Sequence, residues 1–209
     1  MRLSPCKFNA FLAKIGQDVL WRKSYICPCV NPHSGASDPK CPVCYGKGRF
    51  WDAPVASRVG VPSTRVQREW AQFGRYESGD MVLTLPSDQP IYEMGEFDRI
   101  TNMNSTEVFQ LPLQRGRNDF CMLPVKQFTR VFWLDENNEI VEGGLPTVGD
   151  NGALSWVIGA PPAGTQYTLC GTRYDEYYCF TELTGDRGEH GGLPLPRKVV
   201  ARKFDLFGR

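Results

Sequence analysis

Four cysteines within 18 positions are the strongest candidates in this chain for a chemical role. They form two close pairs, Cys27 with Cys29 and Cys41 with Cys44, separated by 11 residues. The second pair stands in CPVCYGKG, which has the C-P-x-C-x-G-x-G pattern of a zinc knuckle. Four thiolates fill a tetrahedral site and leave no position open for a catalytic water. The spacing therefore predicts a structural Zn²⁺ site.

Two details of the pattern affect this interpretation. Gly46 and Gly48 predict positive-φ turns that let backbone N–H groups approach the sulfurs. The C-x-C spacing of the first pair, however, is tighter than the usual C-x₂₋₄-C. Disulfides, free thiols or another metal centre such as an iron–sulfur cluster are the alternatives, and His33 could replace one cysteine. The first residues lack the apolar segment of a secretory signal, so we expect a reducing cytoplasm and no disulfides.

Composition and charge exclude several classes of function. No stretch of about 18 apolar residues is present, so we expect no membrane span. A formal net charge of +1 argues against a protein that coats nucleic acid. Positions 1–60 hold nine Lys/Arg and three Asp/Glu, whereas positions 61–150 hold eight and fourteen. Such a dipolar chain suits head-to-tail contacts between copies or with different partners.

One helix is predicted, at the start of the chain. Ser4 can cap it, and Gly16 ends it in the C′ position. Phe8, Phe11, Leu12 and Ile15 recur at helical spacing on one face, and we expect Phe8, Phe11 and Ile15 to face the core.

The rest of the chain predicts a mainly β fold. Its 21 glycines and 16 prolines separate short apolar runs, which is typical of many strands joined by turns. We expect an antiparallel β-sandwich or barrel with one short N-terminal α-helix and a small zinc-knuckle insertion. Two late strands are expected to pair with each other. The predicted strands cover 18–26, 49–61, 63–76, 81–85, 130–134, 139–141, 153–158, 166–172, 176–182 and 198–204.

The predicted domains follow from this pattern. Residues 1–23 are the helix and first strand of the β body, 24–50 are the zinc-knuckle module with its four cysteines, and 51–209 complete the body. The tail, 197–209, retains three large apolar residues that water would not favour, so it should dock as an edge strand or on a neighbouring subunit. The isolated cysteines are expected to be small core residues: Cys6, Cys121, Cys170 and Cys179.

No catalytic constellation is recognisable, so the chain is predicted not to be an enzyme. His33 and His190 stand outside any known motif, and both are expected in exposed loops. The acidic segment 92–98 matches no calcium loop and is interpreted as a polar strand or turn.

Several segments together resemble virion proteins of the long-tailed bacteriophages, specifically neck or head–tail connector proteins. The resemblance covers most of the chain, and the knuckle is its most specific part. It is carried by the Trp21 strand leading into the cysteines at 27–48, FGRYESGD at 73–80, LPSDQPIY at 85–92, FDR at 97–99, and LSW through PPAGTQYT at 154–168.

The resemblance implies a structural protein that forms a ring of six or twelve copies. Its neighbours would be the portal or adaptor and the tail, sheath or tube proteins, and viral DNA would pass through the channel with non-specific phosphate contacts. It implies assembly in the bacterial host cytoplasm and a final place in the virion. A ring subunit needs unlike surfaces for its two neighbours. The basic first third and the acidic middle third could supply them.

Three alternatives remain open. One is a tail-completion or baseplate component. Another is a hydrolase with an unrecognised site at His190. The third is a zinc-ribbon nucleic-acid module, because basic residues alternate with aromatic ones around the knuckle. The residues of that patch are Arg22, Lys23, Lys40, Lys47 and Arg49 with Tyr45, Phe50 and Trp51.

Overall fold

The computed structural model describes residues 4–62, 77–183 and 188–207. It confirms the predicted class: the fold is mainly β, with one α-helix near the N-terminus and antiparallel strand pairs. The predicted strand 63–76 lies outside the described residues. The chain forms two compact units: unit 1 is Met1–Asn104 with Glu176–Arg209, and unit 2 is Ser105–Asp175.

Two long strands contribute residues to both units, and the other elements belong to one unit each. The elements in chain order are α1 Pro5–Ile15, β1 Gln17–Arg22, β2 Ser24–Ile26, β3 Arg49–Trp51, β4 Val55–Val59, β5 Met81–Leu85, the 3₁₀ helix Pro90–Glu93, β6 Arg99–Gln114, β7 Val125–Leu134, β8 Ile140–Glu142, β9 Thr147–Val148, β10 Leu154–Ser155, β11 Gln166–Glu182, β12 Glu189–His190, β13 Leu193–Pro194, β14 Arg197–Lys203 and the 3₁₀ helix Phe204–Leu206.

In unit 1 the strands follow the order β4-β1-β6-β11-β14-β5. The two outer strands are linked where Gly60 and Thr84 exchange backbone hydrogen bonds of 2.9 and 2.8 Å, so the sheet closes on itself there. Closure removes an exposed sheet edge. The buried core of this unit contains Val19, Trp21, Val59, Leu83, Leu85, Ile91, Met94, Ile100, Tyr177, Cys179, Val199 and Ala201.

Helix α1 has the predicted limits, but the prediction of which side chains it buries is wrong. Phe8, Phe11 and Ile15 are 44, 53 and 58% exposed. Of the four residues in the predicted apolar stripe, Leu12 is the one that is buried, and Pro5 and Asn9 are buried with it.

A polar contact and a close approach decide which face of α1 is buried. The Asn9 amide donates to Ser87 Oγ at 2.9 Å and accepts from the Ser87 N–H at 3.3 Å. Leu12 lies against Gly60, and a Cβ at position 60 would come within 2.5 Å of Leu12 Cδ2. Gly16 ends the helix in an extended conformation (φ −66°). Glycine is required at this position because a Cβ would lie 2.5 Å from the Leu12 carbonyl oxygen.

The predicted strands are correct in most places, with one error of topology. Strand β5 has the predicted limits, and β7 and β8 form the predicted hairpin around the turn 135–138. The prediction that the two late strands pair with each other is wrong, because both are parts of one 17-residue strand, β11. No glycine or proline interrupts residues 172–182, so the chain has no turn there. Strand β6 was not predicted.

The tail folds onto its own chain. Strand β14 pairs antiparallel with both β11 and β5, so it is an interior strand and the predicted edge position is wrong. Among the isolated cysteines, Cys121 and Cys179 are buried as expected, whereas Cys6 is exposed. No helix in the described part of the chain combines the length and apolar character that crossing a membrane requires.

A buried carboxylate organises unit 1 beside the start of β2. Asp98 is 1% exposed and accepts hydrogen bonds from Trp21 Nε1 at 3.0 Å and from the backbone N–H groups of Ser24 and Gly95 at 2.8 and 3.0 Å. Lys23 Nζ adds an ion pair at 3.2 Å. Four donors thus converge on one side chain, three from residues 21–24 and one from Gly95 in the turn before Asp98.

We expect Asp98→Ala to lower the free energy of unfolding by about 3–5 kcal/mol, because it leaves buried donors without an acceptor. Urea denaturation measures the change. The matched control is Asp88→Ala, at an exposed carboxylate, where a change within about 0.5 kcal/mol is expected. Equal effects of the two substitutions would contradict the role assigned to Asp98.

Unit 2 contains a second apolar core and a smaller polar network. Asp119 accepts hydrogen bonds from Tyr167 Oη at 2.8 Å and from Arg115 Nη1 and the Gly116 N–H at 2.7 Å each. Burial acts to raise the pKa of Asp119, but these donors outweigh it and hold the pKa below its ordinary value. The core around this network consists of Phe109, Leu113, Cys121, Phe128, Val131, Leu154, Tyr167 and Leu169.

The depressed pKa of Asp119 predicts a stability contribution that acid removes. The contribution is present above the unfolded-state pKa of about 3.9 and is lost as the pH falls through the lower folded-state value. Urea midpoints of the wild type and Asp119→Asn should therefore differ at about pH 6 and converge below about pH 4. Asp150→Asn, at an exposed site, should show no such convergence. A constant difference between wild type and Asp119→Asn would contradict the assignment.

Candidate metal centre

A short antiparallel hairpin brings the two cysteine pairs together. Strand β2 pairs with β3 in the register Ser24 with Trp51 and Ile26 with Arg49. The ladder continues one step further, where the Cys27 N–H donates to the Gly48 carbonyl at 2.9 Å. The first cysteine and the end of the knuckle motif are therefore neighbours.

The structure places all four predicted ligands in one cluster. Their Sγ atoms lie within 4.8 Å of one another. Cys27 Sγ is 3.7 Å from Cys41 Sγ, and Cys29 Sγ is 3.5 Å from Cys44 Sγ. Tetrahedral Zn–S bonds of about 2.3 Å require sulfur–sulfur separations of about 3.8 Å. These separations far exceed a disulfide bond of about 2.05 Å, and all eight cysteines are free. The cluster can bind a metal ion such as zinc.

Backbone N–H groups point at the sulfurs, as the knuckle pattern predicts. The N–H groups of Cys44 and then Val43 donate to Cys41 Sγ and lower the pKa of this thiol to about 7. Cys29 Sγ accepts from the Asp38 N–H, but burial and the neighbouring thiols outweigh this donor and raise the pKa of Cys29 to about 12. With a pKa this high, the Cys29 thiol stays protonated near neutral pH when no cation is bound. A bound dication would replace the thiol protons.

The tight turn after Cys44 has the predicted glycine conformations. Gly46 and Gly48 have φ of 80° and 71°. Tyr45 also has a positive φ, 50°, which the sequence did not indicate. Ser37 Oγ donates to the Gly46 carbonyl and holds the intervening loop against this turn.

An aromatic cluster attaches the cysteine module to the body of unit 1. The Trp51 ring contacts Phe204 and Phe207 at centroid distances of 5.3 and 5.5 Å. Lys47 Nζ lies 4.4 Å from the Phe204 centroid, and Arg99 Cζ lies 4.2 Å from it. Burial, followed by the charge of Arg99, lowers the pKa of Lys47. The tail therefore packs directly against the knuckle.

The sequence signal for this contact was partial. The apolar residues at the end of the chain indicated that the tail docks. Their partner could not be inferred, because Trp51 and Phe207 are far apart in sequence and meet only through strand pairing.

The other candidate residues lie outside the cluster. His33 is exposed in the loop between the cysteine pairs, and its backbone N–H donates to Asn31 Oδ1 at 2.8 Å. His190 lies in the short hairpin of β12 and β13. The acidic segment 92–98 contains the structural carboxylate Asp98 and the end of a 3₁₀ helix.

No protein-family model matches the chain, and no curated protein shows significant sequence similarity to it.

We expect Cys44→Ser to abolish stoichiometric zinc binding and to unfold residues 24–50 while the β body persists, because three thiolates cannot close the site. Elemental analysis should find close to one zinc per chain in the wild type and a small fraction of that in the variant. Hydrogen exchange should rise in β2 and β3 but not in β11. The matched control is Cys6→Ser, at the exposed cysteine outside the cluster. A metal-free wild type with unchanged stability in chelator would contradict the site.

Proposed function

We propose that this chain is a structural virion protein of a tailed bacteriophage. In this proposal it forms a ring at the neck, between portal and tail, and viral DNA passes through its channel. The four cysteines hold a structural Zn²⁺. The chain acts through surface complementarity and turns over no substrate.

The observation that carries the proposal is the number of large apolar side chains that the folded chain leaves exposed. Unit 1 exposes three on one side of α1, and unit 2 exposes Val157 at 93%, Ile158 at 79% and Ile140 at 61%. Apolar surface of this extent is typical of proteins that bury it against partners. Assembly supplies such partners on both sides of a ring subunit.

The metal cluster fits the same role. Cys27, Cys41 and Cys44 are buried, and four thiolates leave no coordination position for substrate. The ion would fix a loop that has few apolar residues of its own. Zinc supports a closed site of this type without redox chemistry, so we favour it over iron.

A groove in unit 2 is better suited to binding than to catalysis. Its volume is about 690 Å³, and its apolar walls include Pro112, Leu113, Phe132, Trp133, Leu134 and Ile140. No Asp, Glu, His, Cys or Lys of the described residues lines it. Tyr167 reaches the groove, but its hydroxyl donates to Asp119. The groove thus lacks the acid–base pair that hydrolysis uses.

The nucleic-acid alternative has less support, because the basic patch is largely engaged within the chain. Arg22 Nη1 donates to Thr101 Oγ1 at 3.0 Å, Lys23 pairs with Asp98, and Lys47 lies over the Phe204 ring. The aromatic residue Trp51 is packed in the tail cluster. A stacking platform for single strands needs free cations beside free rings.

The proposal predicts rings and a defined place in the particle. Negative-stain images of concentrated protein should show closed rings. Immunogold labelling of phage particles that encode the chain should mark the junction between head and tail. Oligonucleotide binding should be weak and lost at moderate salt.

The outcomes separate the alternatives. Label at the far end of the tail would favour the baseplate or tail-completion function. Particles free of the chain, together with tight salt-sensitive oligonucleotide binding, would overturn the proposal. Loss of a hydrolytic activity in His190→Ala would favour the enzyme.

A further inference from the structure

One side of α1 presents an apolar stripe to solvent. Phe8, Phe11 and Ile15 lie at positions i, i+3 and i+7, so they share one face over a length of about 10 Å. The Phe8 and Phe11 rings meet edge to face at 6.4 Å and form one continuous patch. Asn9 and Leu12, on the side of the helix next to this stripe, already hold the helix on its own body. The stripe is therefore free to bind without detaching the helix.

The groove in unit 2 has the complementary chemistry, because its walls are mostly apolar. The hairpin of β7 and β8 forms one wall, where Leu134 and Ile140 are 56 and 61% exposed. An apolar helix face laid into an apolar groove is a common recognition mode, with anchors spaced i, i+3 and i+7.

Charge is complementary as well. Helix α1 carries Lys7 and Lys14, both exposed, and no acidic residue. The hairpin beside the groove carries four acidic residues, Asp135, Glu136, Glu139 and Glu142. Its basic neighbours are three: Lys126 and Arg130 lie on β7, where Arg130 pairs with Glu142 at 2.6 Å, and Arg117 lines the groove. The hairpin region therefore stays net negative opposite a net positive helix.

We propose that the exposed face of α1 of one copy binds in the unit 2 groove of a second copy. This inference deepens the proposed function, on which it rests, by naming the surfaces of the subunit contact. Because the two surfaces differ, the contact is heterologous. Each copy offers one helix face and one groove, so contacts of this kind continue until a ring closes.

Two substitutions test the contact, one on each surface. Phe11→Asp places a negative charge on the helix face, and Ile140→Lys places a positive charge at the groove. Each should weaken self-association, measured by sedimentation velocity, by at least about tenfold. An equimolar mixture of the two variants should form heterodimers, because the intact helix face of one variant can bind the intact groove of the other.

Matched controls keep the test specific. Val108→Asp changes a residue that is 75% exposed and lies outside both surfaces, so it should assemble like the wild type. Thermal unfolding and zinc content of all three variants should match the wild type, since the substituted side chains are exposed. A wild type that stays monomeric at its highest soluble concentration, either variant assembling normally, or a mixture without heterodimer each overturns the inference.

The same experiments separate this inference from the proposed function. If gold label marks the neck of the particle but neither substitution weakens assembly, the contact is wrong and the function stands. If the variants behave as expected but particles lack the chain, the contact stands and the function is wrong.

Discussion

The anchoring of residues 21–24 on the buried Asp98 carboxylate is the interaction on which the candidate site depends. Trp21, Lys23 and Ser24 all donate to it, and these residues lead directly from the barrel strand β1 into the hairpin that carries the cysteines. A buried carboxylate is costly unless its lone pairs are filled, and here they are. The direction in which the metal hairpin leaves the sheet is therefore fixed at its first residues. At its other end, Trp51 donates to the Phe97 carbonyl at 3.0 Å, one residue before Asp98.

The module and the tail stabilise each other through this arrangement. Phe204 and Phe207 complete an aromatic cluster whose other side is formed by Trp51 and the stem of Lys47. The quadrupole of the Phe204 ring attracts the Lys47 cation, an interaction of about 0.5–1 kcal/mol for an exposed cation such as this one. Because β14 is an interior strand, the tail cannot leave without opening the sheet between β11 and β5. The cysteine loop thus packs against residues that directly follow an interior strand of the sheet.

The candidate site could be predicted from the sequence more accurately than the topology of the strands could. Cysteine and glycine spacing acts over a few residues, so Cys41, Cys44, Gly46 and Gly48 could be placed correctly without knowing the fold. Strand pairing acts over long distances. The late strands looked like a hairpin because Tyr167 and Tyr178 lie on separate apolar runs, but residues 173–175 contain no glycine or proline and β11 continues through them. Asp98 was interpreted as part of a polar turn, since nothing in its local sequence shows which donors reach it.

The error at α1 follows from the same limit and carries a functional meaning. Hydrophobic periodicity identifies the apolar stripe of a helix but not the surface that covers it. Here the body of unit 1 holds the helix by the less apolar face, through an amide pair with Ser87 and the close approach of Leu12 to Gly60. Burying the aromatic stripe instead would gain more hydrophobic free energy within one chain, at about 25 cal/mol per Å². A fold that leaves its most apolar helix face in water retains that free energy for association, which is the physical basis for the proposal that a second copy covers the stripe.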